Sequence, residues 1–357
     1  MKRNDIPIEL RQRLANGCAI PAHPLALDNN LKLSERHQRG LTRYYCDAGA
    51  GGIAVGVHST QFEIRDPEIG LYEPVLELAS KTIDEWTATS GRAMLKIAGV
   101  SGLTQQAVGE AEIAANHGYH ACLLALRDFN GESPEVILEH CRTVAQTMPL
   151  IGFYLQPAVG GMHIPVSFWR EFAKIDNVIA IKIAAFNRYQ TFDVVRAVCE
   201  AGREKEVTLY TGNDDTIIFD LVSEYRVSVA NGHCNVGMSG GLLGHWGVWT
   251  KRAVEQFNLI KAWRDTGEPL PRELLTLAHE VTDANAAFFD SANGFAGCLA
   301  GINEVLRRRG QVSGSLCLNP KEQLSKGQAK ELDRVQAAYP HLNDDVFVAE
   351  NLDKWLS

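Results

Sequence analysis

The 357-residue sequence lacks the features of membrane, secreted and nucleic-acid-binding proteins. No apolar run approaches the roughly 20 residues needed to cross a bilayer. The first residues, MKRNDIPIELRQRL, contain no apolar stretch of the kind found in secretory signals. A formal net charge of −8 offers no general basic surface for nucleic acid. We therefore expect a cytoplasmic protein without a membrane or nucleic-acid partner.

The eight cysteines lack the spacing of a metal site or a disulfide framework. No two of them form a Cys-x-x-Cys motif, and several fall in apolar runs, which predicts reduced, buried thiols. His117 and His120 have an His-x-x-His spacing, but Gly118 separates them and no acidic third ligand is evident. The sequence thus predicts no bound metal.

Short apolar runs alternate with longer amphipathic segments through the first two thirds of the chain. Such alternation is typical of βαβ units and a parallel sheet, and eight repeats favour a closed barrel. No Gly-x-Gly-x-x-Gly motif follows the first run, which disfavours a dinucleotide-binding fold. We predict an α/β protein with a (β/α)8 TIM barrel. The predicted strands are 17–22, 51–57, 92–98, 119–126, 149–155, 177–183, 206–212 and 226–231.

The strand pattern stops after residue 240, and helical patterns continue to the C-terminus. We expect an N-terminal segment (1–16), the barrel (17–264) and a C-terminal helical extension (265–357). The glycine-rich stretch 231–247 follows the eighth predicted strand. It is interpreted as a tight loop that closes the barrel, with a phosphate-binding loop as the alternative.

Lys182 is an ionisable residue inside the apolar run NVIAIKI (177–183). Alternation along a strand puts Val178, Ala180 and Lys182 on one face and three isoleucines on the other. The bulky face is expected to meet the helices, so the amine should point inward near the end of the strand, where barrel active sites lie. Burial lowers a lysine pKa and makes a neutral, nucleophilic amine available. The alternative is a lysine paired with an interior carboxylate.

The same reasoning directs Tyr154, in PLIGFYL (149–155), inward on the preceding strand. A phenol beside the amine could relay protons during imine formation. Alternatively, its hydroxyl only satisfies a buried partner. Lys96 is a rival amine, but it lies deeper in its strand and has no inward aromatic hydroxyl beside it, which indicates a structural role.

The spacing of Tyr154, Pro157 and Lys182 resembles that of the dihydrodipicolinate synthase / N-acetylneuraminate lyase family. That family carries a Tyr-Asn-x-Pro motif near the end of strand five and a Schiff-base lysine at the end of strand six. The resemblance covers roughly residues 17–330 and implies the barrel fold with a class I aldolase-type lyase activity. Further similar segments are HPLALDNN (23–30), VGVHST (55–60), IAGVSGLT (97–104) and YTGNDD (210–215).

The resemblance implies that Lys182 attacks the C2 carbonyl of pyruvate or a longer 2-oxo acid, while Tyr154 moves protons. Cleavage, condensation or dehydration would follow, and none of them requires a metal or organic cofactor. The groups expected to hold the substrate carboxylate or neighbouring oxygens are His58, Ser59, Thr60 and the backbone around Gly212.

Several positions depart from the family pattern. Leu155 replaces the asparagine after the tyrosine, and Val57 and His58 stand near the place of the family's carboxylate-binding hydroxyl pair. Val159 stands where lysine-biosynthesis members have an arginine. Phe129 lies in the loop where those members carry a tyrosine that reaches a neighbouring subunit. We therefore do not expect efficient dihydrodipicolinate synthesis, and the acceptor and the direction of reaction stay open.

Two alternatives to a Schiff-base lyase remain. One is a non-catalytic sensor that binds a 2-oxo acid in the same barrel. The other is a barrel enzyme of another class, such as a metal-dependent or phosphate-binding isomerase. The resemblance further implies a homo-oligomer, with a tetramer as the expected form. The apolar C-terminal segments and Phe129 add support, because exposed apolar patches usually mark contacts.

Overall fold

The computed structural model describes residues 1–230 and 232–357. Eight strands belong to a single sheet, and helices follow them along the chain. This alternation, with further helices after the last strand, is that of a (β/α)8 barrel with a C-terminal helical extension and confirms the predicted fold class. No helix in the described residues is long and apolar enough to cross a membrane.

The residues divide into two compact units, of which the first comprises Met1–Cys18 and Leu95–Leu242. Its barrel strands are β3 (Leu95–Val100), β4 (Ala121–Leu124), β5 (Leu150–Leu155), β6 (Val178–Ala184), β7 (Thr208–Thr211) and β10 (Gly240–Leu243). They pair in parallel in the order β10, β7, β6, β5, β4, β3. They are buried along almost their whole length, as expected for a sheet covered on both faces.

The helices of the first unit begin where the sequence supplies capping groups. Ser133 accepts a hydrogen bond from the Val136 amide and is followed by Pro134, while Asn187 accepts bonds from two amides of the next helix. The helices are α1 (Ile8–Ala15), α4 (Thr104–Asn116), α5 (Pro134–Thr147), α6 (Val166–Ala173), α7 (Arg188–Glu200) and α8 (Ile217–Val222).

The eighth barrel strand is not where the sequence pattern put it. The predicted strand 226–231 falls instead in an antiparallel hairpin of β8 (Glu224–Val229) and β9 (Gly232–Gly237), and its last residue, Asn231, lies outside the described residues. The true eighth strand, β10, lies within the stretch predicted as a loop. A Cβ atom at Gly240 would lie 2.4 Å from the Cys18 carbonyl oxygen. Close packing therefore requires glycine there and removes the side-chain pattern by which a strand is recognised.

The second unit comprises Ala19–Met94 and Leu243–Ser357. Its elements are β1 (Ala19–Pro21), α2 (Glu35–Ala48), β2 (Gly52–Val55), α3 (Tyr72–Ser90), α9 (Thr250–Arg264), α10 (Arg272–Phe288), α11 (Cys298–Arg308), α12 (Gln328–Ala338) and α13 (Asp345–Trp355).

A buried polar cluster attaches the C-terminal helices to α2 within the second unit. Asp344 pairs with Arg309 at 2.5 Å and accepts a hydrogen bond of 2.7 Å from the Tyr44 hydroxyl. The same carboxylate accepts a bond from the Lys251 amide. Both charged side chains are buried and each compensates the charge of the other, while Asp345 lies 3.5 Å from Arg309 as a second carboxylate.

Candidate active site around Lys182

Lys182 lies near the C-terminal end of β6, and its side chain is buried. Lys182 pairs in register with Phe153 on β5 and with Tyr210 on β7, so these three side chains share one face of the sheet. The Lys182 Nζ atom lies 4.4 Å from the centre of the Phe153 ring. The structure therefore places the Lys182 amine where the sequence predicted it, buried near the end of a barrel strand.

Gly212, which follows β7, makes room for the lysine chain. A Cβ atom at this position would lie 2.6 Å from the Lys182 Cε atom and 2.9 Å from the Ala184 Cβ atom. The Gly212 amide donates to the Ile183 carbonyl oxygen at 2.7 Å, so it is engaged in the sheet. Gly212 thus leaves the space that the lysine side chain occupies. That the backbone around Gly212 holds the carboxylate or neighbouring oxygens of the substrate stays a prediction.

Asp214 is the acidic group that acts on Lys182. Burial lowers the pKa of the Lys182 amine to about 8, and the Asp214 carboxylate limits this fall by favouring the charged form. Asp214 is itself buried, two residues after Gly212. The sequence analysis named Asp214 only as part of the segment YTGNDD, which is similar to the family, and gave it no role. An acidic residue shortly after a buried strand could have identified it as a candidate site residue.

Asn213 holds this turn through a network of buried groups. Its Oδ1 atom accepts a hydrogen bond of 2.9 Å from the Phe186 amide, which follows β6 and has a positive φ of 50°. Its Nδ2 atom donates to Asp220 at 2.9 Å and to Thr191 at 3.1 Å. Asp220 also pairs with Arg188 at the start of α7. The positions of Gly212 and Asp214 are thereby fixed relative to the end of β6.

Tyr154 does not share the strand face of Lys182. Its register partner on β6 is Ile183, and its ring packs 5.3 Å from that of Trp169 on α6. The hydroxyl accepts a bond of 3.3 Å from the Ile164 amide and lies 3.4 Å from His163 Nδ1. Burial raises the Tyr154 pKa. The predicted pairing of an inward Tyr154 with Lys182 is therefore not what the structure has.

The reversal has a local cause in the pairing of β5 with β6. Leu150 pairs with Val178 and Ile151 pairs with Ala180, so Ile179 of β6 is an extra residue, and a shift of one residue moves every later side chain to the other face. Gly152, expected to point inward because it is small, faces α6 instead. A Cβ there would lie 2.6 Å from the Phe172 ring, so the space left by the glycine is filled by helix aromatics.

The other predicted binding residues, His58, Ser59 and Thr60, form a turn after β2 in the second unit. Thr60 is buried; its hydroxyl donates to the His23 carbonyl oxygen at 2.7 Å and accepts from the Gly56 amide at 2.9 Å. The Thr60 hydroxyl proton is thus used within the protein, whereas a carboxylate ligand would need that donor. His58 and Ser59 are half-buried, and their role in binding stays a prediction.

Two further residues singled out in the sequence, Lys96 and Phe129, are buried. The Lys96 amine lies 3.4 Å from the position that a Cβ atom at Gly118 would take, and the structural role of Lys96 stays a prediction. Phe129 is buried, and its ring lies 4.3 Å from that of His140. The idea that Phe129 reaches a neighbouring subunit is therefore not supported. Residues 1–230 and 232–357 contain no cluster of three potential His, Cys, Asp or Glu metal ligands.

Comparison with known proteins links this arrangement to one family. The model of the dihydrodipicolinate synthetase family matches residues 21–229. The 4-hydroxy-tetrahydrodipicolinate synthase of Desulforudis audaxviator is 25% identical over 263 residues, which cover 71% of this chain and 85% of the relative. That of Methanothermobacter thermautotrophicus is 25% identical over 219 residues, or 58% and 75% of the two chains.

Solved structures show the same fold at lower identity. Dihydrodipicolinate synthase from Oceanobacillus iheyensis superposes with a TM-score of 0.74 and 14% identity, over 93% of this chain and 99% of that structure. N-acetylneuraminate lyase from Fusobacterium nucleatum gives a TM-score of 0.69 and 17% identity, over 91% and 99%.

Proposed function

Because the chain belongs to the dihydrodipicolinate synthetase family, we propose that it is a class I aldolase-type lyase in which Lys182 forms a Schiff base with pyruvate or a longer 2-oxo acid. The observation that carries the proposal is the buried amine at the end of β6 with a pKa lowered to about 8. An amine inside a barrel, near the carboxyl end of a strand, is where such chemistry is expected.

The lowered pKa matters because only the neutral amine attacks a carbonyl. At pH 7 a lysine with a pKa of about 8, against the usual 10.5, has roughly 300 times more of its neutral form. The Phe153 ring and the apolar strand around the amine produce this effect by excluding water.

We assign proton transfer in the first steps to Asp214. The amine adds to C2 of the 2-oxo acid, and Asp214 accepts the proton that the nitrogen loses. Return of that proton to the C2 alkoxide gives the carbinolamine. A second proton, which Asp214 takes up from solvent and passes to the C2 hydroxyl, lets that group leave as water and gives a protonated imine. The imine then takes up the electron pair released when the bond from C3 to C4 breaks or a proton leaves C3. Asp214 replaces Tyr154 in this role, because Tyr154 faces α6.

The substrate is expected to differ from that of the lysine-biosynthesis enzymes. Val159, in a turn after β5, replaces the arginine of those members, and Phe129 is buried against His140 where they carry a tyrosine. His58 and Ser59 remain our candidates for binding a substrate carboxylate. His58→Ala would then raise KM for the 2-oxo acid more than it lowers kcat.

A homo-oligomer, with a tetramer as the expected form, remains a proposal that rests on the family resemblance. The apolar residues of α10 and α11 are largely buried within the second unit, and so they do not supply the exposed patch that the sequence suggested. Light scattering at micromolar concentration tests the proposal, since the mass of a single 39.3 kDa chain would refute it.

Reductive trapping tests the central proposal. Borohydride with pyruvate, or with one member of a panel of 2-oxo acids, should add one covalent adduct, which peptide mapping places on Lys182. Lys182→Ala should abolish the adduct, while Lys96→Met serves as the matched control and should retain it. An adduct on Lys96, or none with any 2-oxo acid, would refute the proposal.

Two further measurements separate the alternatives. Exchange of the C3 protons of bound pyruvate with solvent deuterium is expected of the enzyme, whereas a non-catalytic sensor would bind without exchange. Activity that survives chelators is expected of the Schiff-base mechanism. Loss of activity on chelation, restored by a metal ion, would favour the metal-dependent class.

A further inference from the structure

The hairpin β8–β9 carries a cysteine that contacts a second cysteine on α7. The Sγ atoms of Cys199 and Cys234 lie 2.9 Å apart, and both residues belong to the first unit. A disulfide has an S–S distance of about 2.05 Å, so an approach of about 0.9 Å would bring these sulfur atoms to bonding distance.

The hairpin presents one packed face to the helix. Tyr225 pairs with Val236 and Val227 pairs with Cys234, and these four side chains are buried or half-buried while their neighbours along each strand are exposed. Cys234 is thus directed to the packed side, where Cys199 lies.

Two contacts of Tyr225, one aromatic and one a hydrogen bond, hold the other end of the hairpin. The Tyr225 ring lies 6.1 Å from that of Phe192, and its hydroxyl accepts a bond of 2.9 Å from Arg188. Arg188, Phe192 and Cys199 follow one another along the same side of α7. The cysteine pair is therefore the contact nearest the turn of the hairpin, where a cross-link would add the most restraint.

We propose that Cys199 and Cys234 form a redox modification site, which a low-molecular-weight disulfide converts to an intramolecular disulfide and a thiol reductant restores. No motif or family property assigns this role, and the proposal does not depend on the reaction at Lys182.

The steps follow thiol–disulfide exchange. The Cys234 thiolate attacks one sulfur of the small disulfide and releases one small thiol, leaving a mixed disulfide on Cys234. The Cys199 thiolate then attacks the Cys234 sulfur and releases the second small thiol. Two protein thiols are oxidised and one small disulfide is reduced to two thiols. Cys234 reacts first because it is half-buried, whereas burial of Cys199 raises its pKa.

The experiment uses the full chain and oxidised glutathione. Treated protein should lose two thiols from its eight, gain no glutathione mass, and yield a peptide that joins Cys199 to Cys234. Dithiothreitol should restore both thiols. Hydrogen exchange should slow across residues 224–237 in the oxidised form, because the cross-link restrains the hairpin.

Variants separate the pair from the other thiols. Cys234→Ser should form no cross-link, and Cys199→Ser should stop at the glutathione adduct on Cys234. Cys317 lies in the second unit, so the variant Cys317→Ala should form the same cross-link as the native chain. A stable glutathione adduct on the native chain, a cross-link through another cysteine, or no loss of thiols would overturn the proposal.

Discussion

The side chain of Lys182 passes through the space that a Cβ atom at Gly212 would need. A Cβ at position 212 would come within 2.9 Å of Cγ and 2.6 Å of Cε. The glycine therefore determines the path by which the amine reaches its place beside Phe153, and this relationship can be tested directly.

Gly212→Ala should slow imine trapping by tenfold or more, roughly the cost of displacing a reactive group by a fraction of an ångström to 1 Å. The added methyl group should also lower stability by about 1–3 kcal/mol through overpacking. The trapping rate with pyruvate measures the first effect, and thermal unfolding measures the second. Gly109→Ala is the control, because a Cβ at Gly109 meets nothing within 4 Å. Equal behaviour of the two variants would remove the role given to Gly212.

Asp214→Asn should shift the pH dependence of trapping to lower pH. The neutral Lys182 amine is the reactive form, so trapping in the native protein should rise with pH through about 8. Asp214 raises the Lys182 pKa, and its loss should let the amine deprotonate at lower pH. At a pH high enough to make the Lys182 amine fully neutral, trapping by the variant should still be slower than in the native protein if Asp214 also transfers protons. The pH profile of the trapping rate checks this, and an unchanged profile would show that Asp214 does not act on Lys182.

Tyr154→Phe should leave turnover within a few-fold of the native value, because the hydroxyl bonds to the Ile164 backbone on the α6 side. A positioned acid–base group would cost roughly 10²–10⁴ in rate. Steady-state kinetics with a substrate found in the trapping panel decides between these magnitudes. A loss in the larger range would restore the proton-relay role suggested by the sequence and would require a different register of β5.

The protein should not make dihydrodipicolinate efficiently from pyruvate and aspartate semialdehyde. The reason is Val159 in place of an arginine and the burial of Phe129 against His140. A coupled assay of the product measures this activity, with an authentic synthase as positive control. Turnover comparable with that enzyme would show that neither departure controls the acceptor.

Asp344→Ala should destabilise the second unit by about 3 kcal/mol, because it removes the nearer of the two carboxylates that pair with the buried Arg309 and leaves only Asp345 at 3.5 Å. Denaturant unfolding provides the measurement. Asp333→Ala removes the carboxylate of an exposed ion pair with Arg308 and should cost at most about 1 kcal/mol. Similar losses for the two variants would mean that burial adds nothing to the Arg309–Asp344 pair.

The sequence predicted well those features that burial determines directly. Lys182 was found because one charged residue in a fully apolar strand is conspicuous. Tyr154 was misplaced because β6 carries an extra residue, Ile179, opposite Leu150 and Ile151 of β5, and the sequence does not display this irregularity in strand pairing.

Other differences have the same origin in contacts that the sequence does not display. The strand β10 was missed because Gly240 must fit against Cys18, which removes the side chains that mark a strand. The sequence also does not display that the Thr60 hydroxyl bonds to the backbone of His23 and Gly56, and binding of a ligand by Thr60 stays a prediction. The domain boundaries 1–16, 17–264 and 265–357 stay a prediction.

The register of β5 makes two adjacent aromatic residues interchangeable in principle. Phe153 now covers the Lys182 amine and Tyr154 packs under α6. Sliding the strand by one residue would exchange a phenyl ring for a phenol above the amine without any change of composition. Evolution could therefore gain or lose an acid–base group here by a single insertion or deletion before Ile151, and a designer could reproduce the exchange with Phe153→Tyr and Tyr154→Phe on the unaltered backbone.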